Sequence, residues 1–328
     1  MEVHPIVYVI ILNWNGWRDT LHCLAALRAS SYQNLHVVVV DNGSTDDSPE
    51  RLAPLLQGPR GRGELVCVGY NSGFTGGANV GLRLALERGA DYALLLNNDA
   101  TVEPACIATL VEAAAHRPDV GCVGPKIVWA GDPERIWSAG MSVAWRRAIV
   151  ESHANEPDDG RFDDCRLVQG LSGCALLMKR VALERVGLLD ERYFAYYEDL
   201  DWCLRARDAG FRCLYVGVAR VAHVGSSTSK RDGGRSQPAA LNYYATRNIL
   251  LFLATHASRA ERPLALTRQL GRLLSAVAHI IAGGLILRRP DARRRAWALI
   301  AGGIDAARGC FGPRVDRQTA LRRYSMHG

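Results

Sequence analysis

The 328-residue sequence has no CxxC pair and no paired metal-ligand spacing, although it holds nine cysteines. They stand singly at positions 23, 67, 106, 122, 165, 174, 203, 213 and 310. An odd, scattered set excludes a regular disulfide framework and a sequence-evident zinc site, and fits a reduced cytosolic compartment. The first strand-like run begins within a few residues of Met1, so no secretory signal is expected. No GxGxxG fingerprint is present, and no glycine-rich loop carries Lys followed by Ser or Thr. That disfavours a dinucleotide-dependent dehydrogenase and a P-loop enzyme. The apolar run Leu273–Leu287 reaches 15 residues, short of the roughly 20 that span a bilayer. No internal repeat is evident.

What is present is enough apolar material, 48% of residues, to bury a large core in one or two domains. The net charge of +7 conceals an asymmetry. Residues 1–225 carry 22 Lys and Arg against 28 Asp and Glu, whereas residues 226–328 carry 18 against 5. A basic C-terminal part predicts an anionic contact, nucleic acid or a membrane surface. No recognised nucleic-acid module accompanies the charge, so nucleic acid is not expected as a partner.

The first half alternates strand and helix signals. Ile6–Leu12 and Leu35–Val40 are continuous β-branched runs, the pattern of strands buried on both faces. Asp19–Ser30 has helical apolar spacing, Glu64–Val68 predicts a third strand, Gly76–Arg88 a helix and Tyr92–Leu96 a fourth strand. Such alternation predicts an α/β fold, a mostly parallel sheet flanked by helices. Further strands are predicted at Val120–Val128, Ser142–Trp145, Cys174–Lys179 and Arg212–Val218, and a mobile polar loop at Ser152–Asp164. The expected organisation is a catalytic domain over 1–225, a flexible loop over 226–239 and a basic helical region over 240–328.

In parallel sheets the ligand cleft lies beyond the carboxyl ends of the strands. The first strand ends on Asn13-Trp14-Asn15-Gly16, the second on Asp41-Asn42-Gly43-Ser44, and the fourth on Asn97-Asn98-Asp99. Each alone is ordinary turn chemistry; three at one sheet edge point to a site. Gly73, Gly76 and Gly77, with Asn79, precede or open the helix. They suit either backbone approach to a phosphate or a tight loop. Asp99 plus a substrate diphosphate suits Mg²⁺ or Mn²⁺. His223 is either a metal ligand or a packed core histidine. In Tyr196-Tyr197-Glu198-Asp199-Leu200-Asp201-Trp202-Cys203-Leu204-Arg205, Asp201 and Arg205 are spaced i, i+4 and can pair along a helix. Glu198 and Asp199 fall at the helix start, where carboxylates cap free N–H groups or face a cleft.

The ordered set VYVIILNWNG, VVVVDNGSTDDS, NSGFTGGANVG, LLLNNDA, SGCALLMKR and YYEDLDWCLRARDAGF resembles glycosyltransferase family 2, in the branch of bacterial rhamnosyltransferases and galactofuranosyltransferases. The resemblance covers roughly residues 5–225, with an echo at Tyr243–Asn248. It implies a GT-A, Rossmann-like fold with a basic helical C-terminal extension. It also implies inverting transfer of a sugar from a nucleoside diphosphate. By that resemblance Asp41 contacts the nucleotide, with Asn13 and Asn15 beside it. The glycines, Asn79 and Asn98 belong to the nucleotide pocket. The family's Asp-x-Asp metal motif stands here as Asn97-Asn98-Asp99, so metal binding rests on Asp99, and His223 is a ligand in some relatives. Asp199 is the implied catalytic base and Glu198 the competing one. Asp201 with Arg205 reads as structural or orienting and Trp202 as core. Tyr197 and Tyr196 either stack on an acceptor sugar or pack.

The donor favoured by the resemblance is dTDP-rhamnose, with UDP-galactofuranose or another UDP-sugar behind it. A non-catalytic sugar-nucleotide or glycan-binding module remains the alternative. The expected acceptor is a glycan or a polyprenyl-diphosphate-linked sugar. Arg268 and Arg272 precede the apolar run of the tail, and Arg288, Arg289, Arg293, Arg294 and Arg295 follow it. The tail therefore either packs on the catalytic domain, lies on an anionic membrane, or spans it. The expected location is cytoplasmic, peripheral on the inner face of the plasma membrane.

Overall fold

The computed structural model describes residues 4–58, 61–225, 239–286 and 292–313. All of the expected flexible loop except Ala239 lies outside the described residues, as do Arg288 and Arg289.

The chain opens on β1 (Val7–Asn13), α1 (Trp17–Arg28), β2 (Leu35–Asp41), α2 (Ser48–Leu56), β3 (Gln57–Gly58), β4 (Gly61–Cys67), α3 (Gly73–Glu87) and β5 (Tyr92–Asn97). It continues through β6 (Ala100–Val102), α4 (Cys106–Ala115), β7 (Val120–Trp129), β8 (Asp132–Ser138), β9 (Ser142–Ala144), β10 (Ile149–Glu151), β11 (Cys165–Val168) and β12 (Ala175–Lys179). Then come α5 (Arg180–Val186), α6 (Glu198–Asp208) and β13 (Arg212–His223), and finally α7 (Ala239–His256), α8 (Arg262–Ile286) and α9 (Ala292–Ala307).

One sheet carries the strands in the order β11-β13-β7-β12-β5-β1-β2-β4-β3, with β6 on β13 and β8 on β7. β5, β1, β2 and β4 run parallel. β12 enters antiparallel between β5 and β7, and β13 is again parallel to β7. The sheet is thus parallel where the sequence alternates strand and helix, and mixed beyond.

Alternate residues of β1 serve opposite faces, as the two-residue period requires. Val7, Val9 and Ile11 join a core closed by Leu24 and Leu27 of α1, Leu52 of α2 and Ile107 of α4. Tyr8 and Ile10 join another, closed by Leu82 of α3, Leu183 of α5 and Trp202 of α6. A third core joins Leu200 and Leu204 of α6 to Ile249, Phe252 and Leu253 of α7. α7 is therefore packed directly on the helix that carries Asp199. α8 behaves differently: among its described side chains only Ala265 is buried. No described helix is long and apolar enough to cross a membrane.

Three local expectations need correction. α3 begins at Gly73, so the glycines form its first turns and are not a loop ahead of it. β13 runs on to His223, which closes the strand instead of following it. The polar stretch 152–164 is tied down. The buried Lys126 ammonium bonds Asp158 at 2.8 Å and also pairs with Asp163, drawing the stretch against β7. A buried cation needs such partners.

Candidate active site

Register brings the three polar strand ends together. Asn13 pairs with Asp41, and Leu12 with Asn97, so β1, β2 and β5 finish side by side. Asp41 is buried and turned inward, accepting from Asn13 Nδ2 (2.8 Å), Ser44 N (2.9 Å) and Ser44 Oγ (2.6 Å). Asn13 is fully buried: Nδ2 serves Asp41 and Ser44, and Oδ1 accepts from Thr20 at 2.8 Å. Its amide is bonded within the protein, so Asn13 holds the Asp41 carboxylate in place. Asn15, with φ 52°, accepts from Thr45 N at 2.7 Å and fixes the loop after β2. Asn98 donates to Thr20 Oγ1 and Gly16 O, closing the same network from β5. Ser44 and Thr20 carry much of this network, though the sequence marks Ser44 only as a turn residue and Thr20 only as part of a helix.

Packing leaves no room for side chains at these glycines. A Cβ on Gly77 would stand 2.2 Å from Leu12 Cδ1, and one on Gly76 would stand 2.7 Å from Ser72 Cβ. Gly73, at φ +77°, lies against Phe194. Their absent side chains let α3 approach β1 and the loop before α6. Asn79 is likewise occupied, donating to Leu189 O (2.9 Å) and Glu191 Oε1 (3.0 Å) and accepting from Leu189 N (3.0 Å). Its amide ties α3 to the 189–191 segment.

Asp99 and His223 meet where β6 pairs with the end of β13. His223 Nε2 lies 3.0 Å from Asp99 Oδ1, and both side chains are buried. Asn97 Nδ2 stands 3.3 Å from the same nitrogen, and Trp137 sets its ring edge-on to the imidazole. His223 Nδ1 has no hydrogen-bond partner among the described residues. Two cis ligands of an octahedral ion, each about 2.1 Å from it, would be about 3.0 Å apart. The pair could therefore hold a divalent ion, and the same separation serves a hydrogen bond without one.

Asp199 sits in the first turn of α6. Its Oδ2 accepts from Gly173 N at 2.7 Å and its Oδ1 from Leu200 N at 2.7 Å. Burial pushes its carboxyl up to about 6, against the pull of the Gly173 N–H. The side chain keeps partial exposure, which a base in contact with an acceptor requires. Glu198 is buried, its Oε2 has no partner among the described residues, and burial with neighbouring Asp199 pushes its pKa well above the carboxylate range. Burial without a partner disfavours the charged form of Glu198, whereas the two N–H groups on Asp199 favour its charged form. The part played by Gly173 emerges only from the fold, because a backbone donor leaves no mark in the residue type.

Asp201 pairs with Arg205 at 2.8 Å as its spacing predicts, and also meets His256 of α7 at 2.7 Å and Tyr193 Oη at 3.3 Å. Trp202 is fully buried, with Nε1 donating to Gly187 O. Tyr197 tilts against Phe252 of α7, whereas Tyr196 is exposed. Packing accounts for Tyr197, and Tyr196 is the one that faces solvent. A separate cavity of about 760 Å³, lined by His153, Arg166, Gln169, Arg207 and Arg212 among others, includes none of the strand-end residues. The strand ends and the start of α6 lie outside that cavity.

A family model described as Glycosyl transferase family 2 matches residues 8–187. The chain is 29% identical over 308 residues to an N-acetylglucosaminyl-diphospho-decaprenol L-rhamnosyltransferase of Mycobacterium tuberculosis, covering 85% of this chain and 92% of that one. It is 24% identical over 251 residues to the dTDP-rhamnosyl transferase RfbF of Shigella flexneri, covering 75% and 79% respectively. Among solved structures, the mannosyltransferase PcManGT from Pyrobaculum calidifontis, in complex with GDP-Man and Mn²⁺, matches with a TM-score of 0.57 at 18% identity. That match covers 93% of this chain and 88% of that one, a likeness of fold.

Proposed function

The chain belongs to glycosyl transferase family 2, and from that premise we propose that it transfers rhamnose, with inversion, from dTDP-rhamnose to a lipid-linked glycan. The glycosyltransferase activity follows from the family; the sugar and acceptor rest on the two rhamnosyltransferase relatives, one of which acts on a decaprenyl-diphosphate-linked sugar by its name. The observation that carries the chemistry is Asp199, a half-buried carboxylate oriented by two N–H groups and raised toward neutrality.

Inversion takes one displacement at the anomeric carbon. The acceptor hydroxyl attacks opposite the leaving diphosphate while Asp199 takes its proton. The N–H bonds from Gly173 and Leu200 fix both carboxylate oxygens, and burial makes the base strong enough to accept a proton near neutral pH. The buried Asn13–Asp41–Ser44 network shapes the floor on which the nucleotide rests. Asp99 and His223 would hold Mg²⁺ or Mn²⁺, whose chemistry when bound is to offset charge on the diphosphate.

In this proposal residues 1–225 carry the donor site and the base, and 240–328 bring the protein to its lipid-linked acceptor. α7 completes the catalytic unit by packing on α6, and α9 packs on α7 through Ala298 and Ala301, whereas α8 leaves nearly all of its described side chains unburied. Leu270, Leu274 and Ile281 are exposed on α8 at i, i+4 and i+11, one helix face. Trp297 and Ile304 are exposed on α9, with Arg293 on the same side. Apolar side chains beside arginines suit an anionic bilayer surface. The site of action is then peripheral, on the cytoplasmic face of the plasma membrane.

The deciding experiment incubates the protein with dTDP-rhamnose, UDP-sugars, Mg²⁺ or Mn²⁺ and a polyprenyl-diphosphate-linked acceptor. Nucleoside diphosphate release should depend on the acceptor and be fastest with dTDP-rhamnose. It should fall roughly 100-fold or more in Asp199→Asn while nucleotide binding survives. Binding of donor without turnover in the wild type would favour a sugar-nucleotide-binding module. Full turnover in Asp199→Asn would reject the base.

A further inference from the structure

The segment that delivers the base to the cleft is built against local preference. Phe194, Tyr196 and Tyr197 have φ of 64°, 73° and 75°. Bulky side chains in the left-handed region are outliers that persist only where surroundings over-determine them. Glu198 and Asp199 follow immediately at the start of α6.

The surroundings are specific. Every carbonyl from residue 192 to 196 is accounted for by a donor. Arg247 Nη2 donates to Arg192 O and Tyr193 O, each at 2.9 Å. Thr75 N donates to Phe194 O at 3.1 Å. Asn248 Nδ2 faces Tyr193 O, Ala195 O and Tyr196 O at 2.7, 2.7 and 2.9 Å. Arg247 Nε donates to Asn248 Oδ1 at 3.0 Å, which fixes the amide so that its NH₂ must point at the carbonyls. Arg247 and Asn248 are themselves buried. Phe194 stacks on Tyr244 of α7 at 4.7 Å.

We propose that Arg247 and Asn248 are positioning residues for the transfer: they hold the strained 192–197 segment so that Asp199 meets Gly173 N–H and the acceptor. This rests on the reading of Asp199 as the base. Neither side chain approaches the reacting atoms in the described contacts. Both act by gathering carbonyls that would otherwise repel one another and release the segment. The residue types are demanding. Only a guanidinium reaches two carbonyls from one nitrogen while bonding the neighbouring amide with another. An aspartate at 248 would turn a carboxylate onto three carbonyl oxygens.

The test compares wild type with Asn248→Ala and the milder Arg247→Lys, using full-length protein. Hydrogen exchange should quicken in residues 193–201 ahead of the sheet strands, and kcat should fall roughly 10–100-fold, the scale of a misplaced catalytic group. The donor KM should stay within about twofold, because the strand-end network is untouched. A uniform rise in exchange, with activity lost only in proportion to unfolded protein, would reduce the pair to a stability role and overturn the proposal. So would a freed segment with unchanged kcat. The exchange measurement needs no substrate, so local loosening without any turnover in the wild type would reject the transferase reading and leave the clamp standing.

Discussion

Gly173 donates its backbone N–H to Asp199 Oδ2 at 2.7 Å, across the gap between the turn before β12 and the start of α6. Burial nevertheless carries the carboxyl up to about 6. A base must be deprotonated, so turnover should decline as pH falls through about 6, with an acid limb of one ionisation in kcat/KM. The stability sign is opposite to that of an ordinary ion-paired carboxylate. The folded state binds this proton more tightly than the unfolded chain, so Asp199 costs stability above about pH 6 and ceases to cost it below about pH 4. Melting curves over pH 4–7 should show a shallower loss of stability with rising pH in Asp199→Asn than in wild type.

Metal dependence should report on the β13 end. Asp99→Ala and His223→Ala should each raise the Mn²⁺ concentration for half-maximal activity by roughly tenfold or more. Asn97→Ala, which removes only a neighbour of His223, should change it less. A metal titration of activity at saturating donor checks the order. Equal, metal-independent activity in all three would remove Asp99 and His223 from the metal site.

Two glycines in helices should respond in opposite ways to alanine. At Gly77 the new methyl meets Leu12 at 2.2 Å, so overpacking should cost about 1–3 kcal/mol despite the better helix propensity of alanine. At Gly271 in α8 nothing lies within 4 Å, and the same change should gain up to about 1 kcal/mol. Chemical denaturation of the two variants gives both numbers.

Asp201 should behave as a structural anchor. Burial alone would raise its pKa, but His256 and Arg205 outweigh burial and hold it below the usual carboxylate value. Its stabilisation is therefore present above the unfolded pKa and lost as pH falls through the depressed folded one. Asp201→Ala should destabilise by about 1–3 kcal/mol, since buried His256 and Tyr193 lose their partner while Arg205 keeps the Val186 and Leu188 carbonyls. Denaturation at pH 7 measures the loss, and melting at low pH should show wild type converging on the variant.

Leu274 is 71% exposed and Trp297 60%, so replacing both by glutamate should leave the melting temperature unchanged. Co-sedimentation with anionic vesicles at low salt should weaken roughly tenfold or more, and wild-type binding should fade with added salt. Vesicle binding that survives the double substitution would move the lipid contact off this face.

The strand ends were legible because β1, β2 and β5 each read as an uninterrupted apolar run stopped by Asn or Asp, and in-register parallel pairing leaves such stops side by side. The Asp201–Arg205 pair was legible from helical spacing alone. Partners far away in the chain were not. Nothing local to Asn79 announces that its amide is taken by Leu189, and nothing local to Lys126 announces Asp158. The glycines illustrate a different limit. Their spacing serves phosphate approach and close packing equally, and the packing need at Gly77 shows only once Leu12 is in place. The antiparallel entry of β12 was hidden for a related reason, since an apolar strand carries no mark of its direction.

Arg247 Nη1 also reaches Gly312 O at 2.5 Å, and Gly312 N returns to Arg192 O at 2.8 Å. The end of the described chain is thus stitched to the backbone that carries the base. Anyone trimming the basic tail for solubility would, with a cut ahead of Gly312, leave a buried guanidinium short of an acceptor beside the cleft. A handle fixed directly behind Gly312 would pull on the same knot. The N-terminal end of β1, on the opposite edge of the sheet from Asn13, is the safer place to hold this protein.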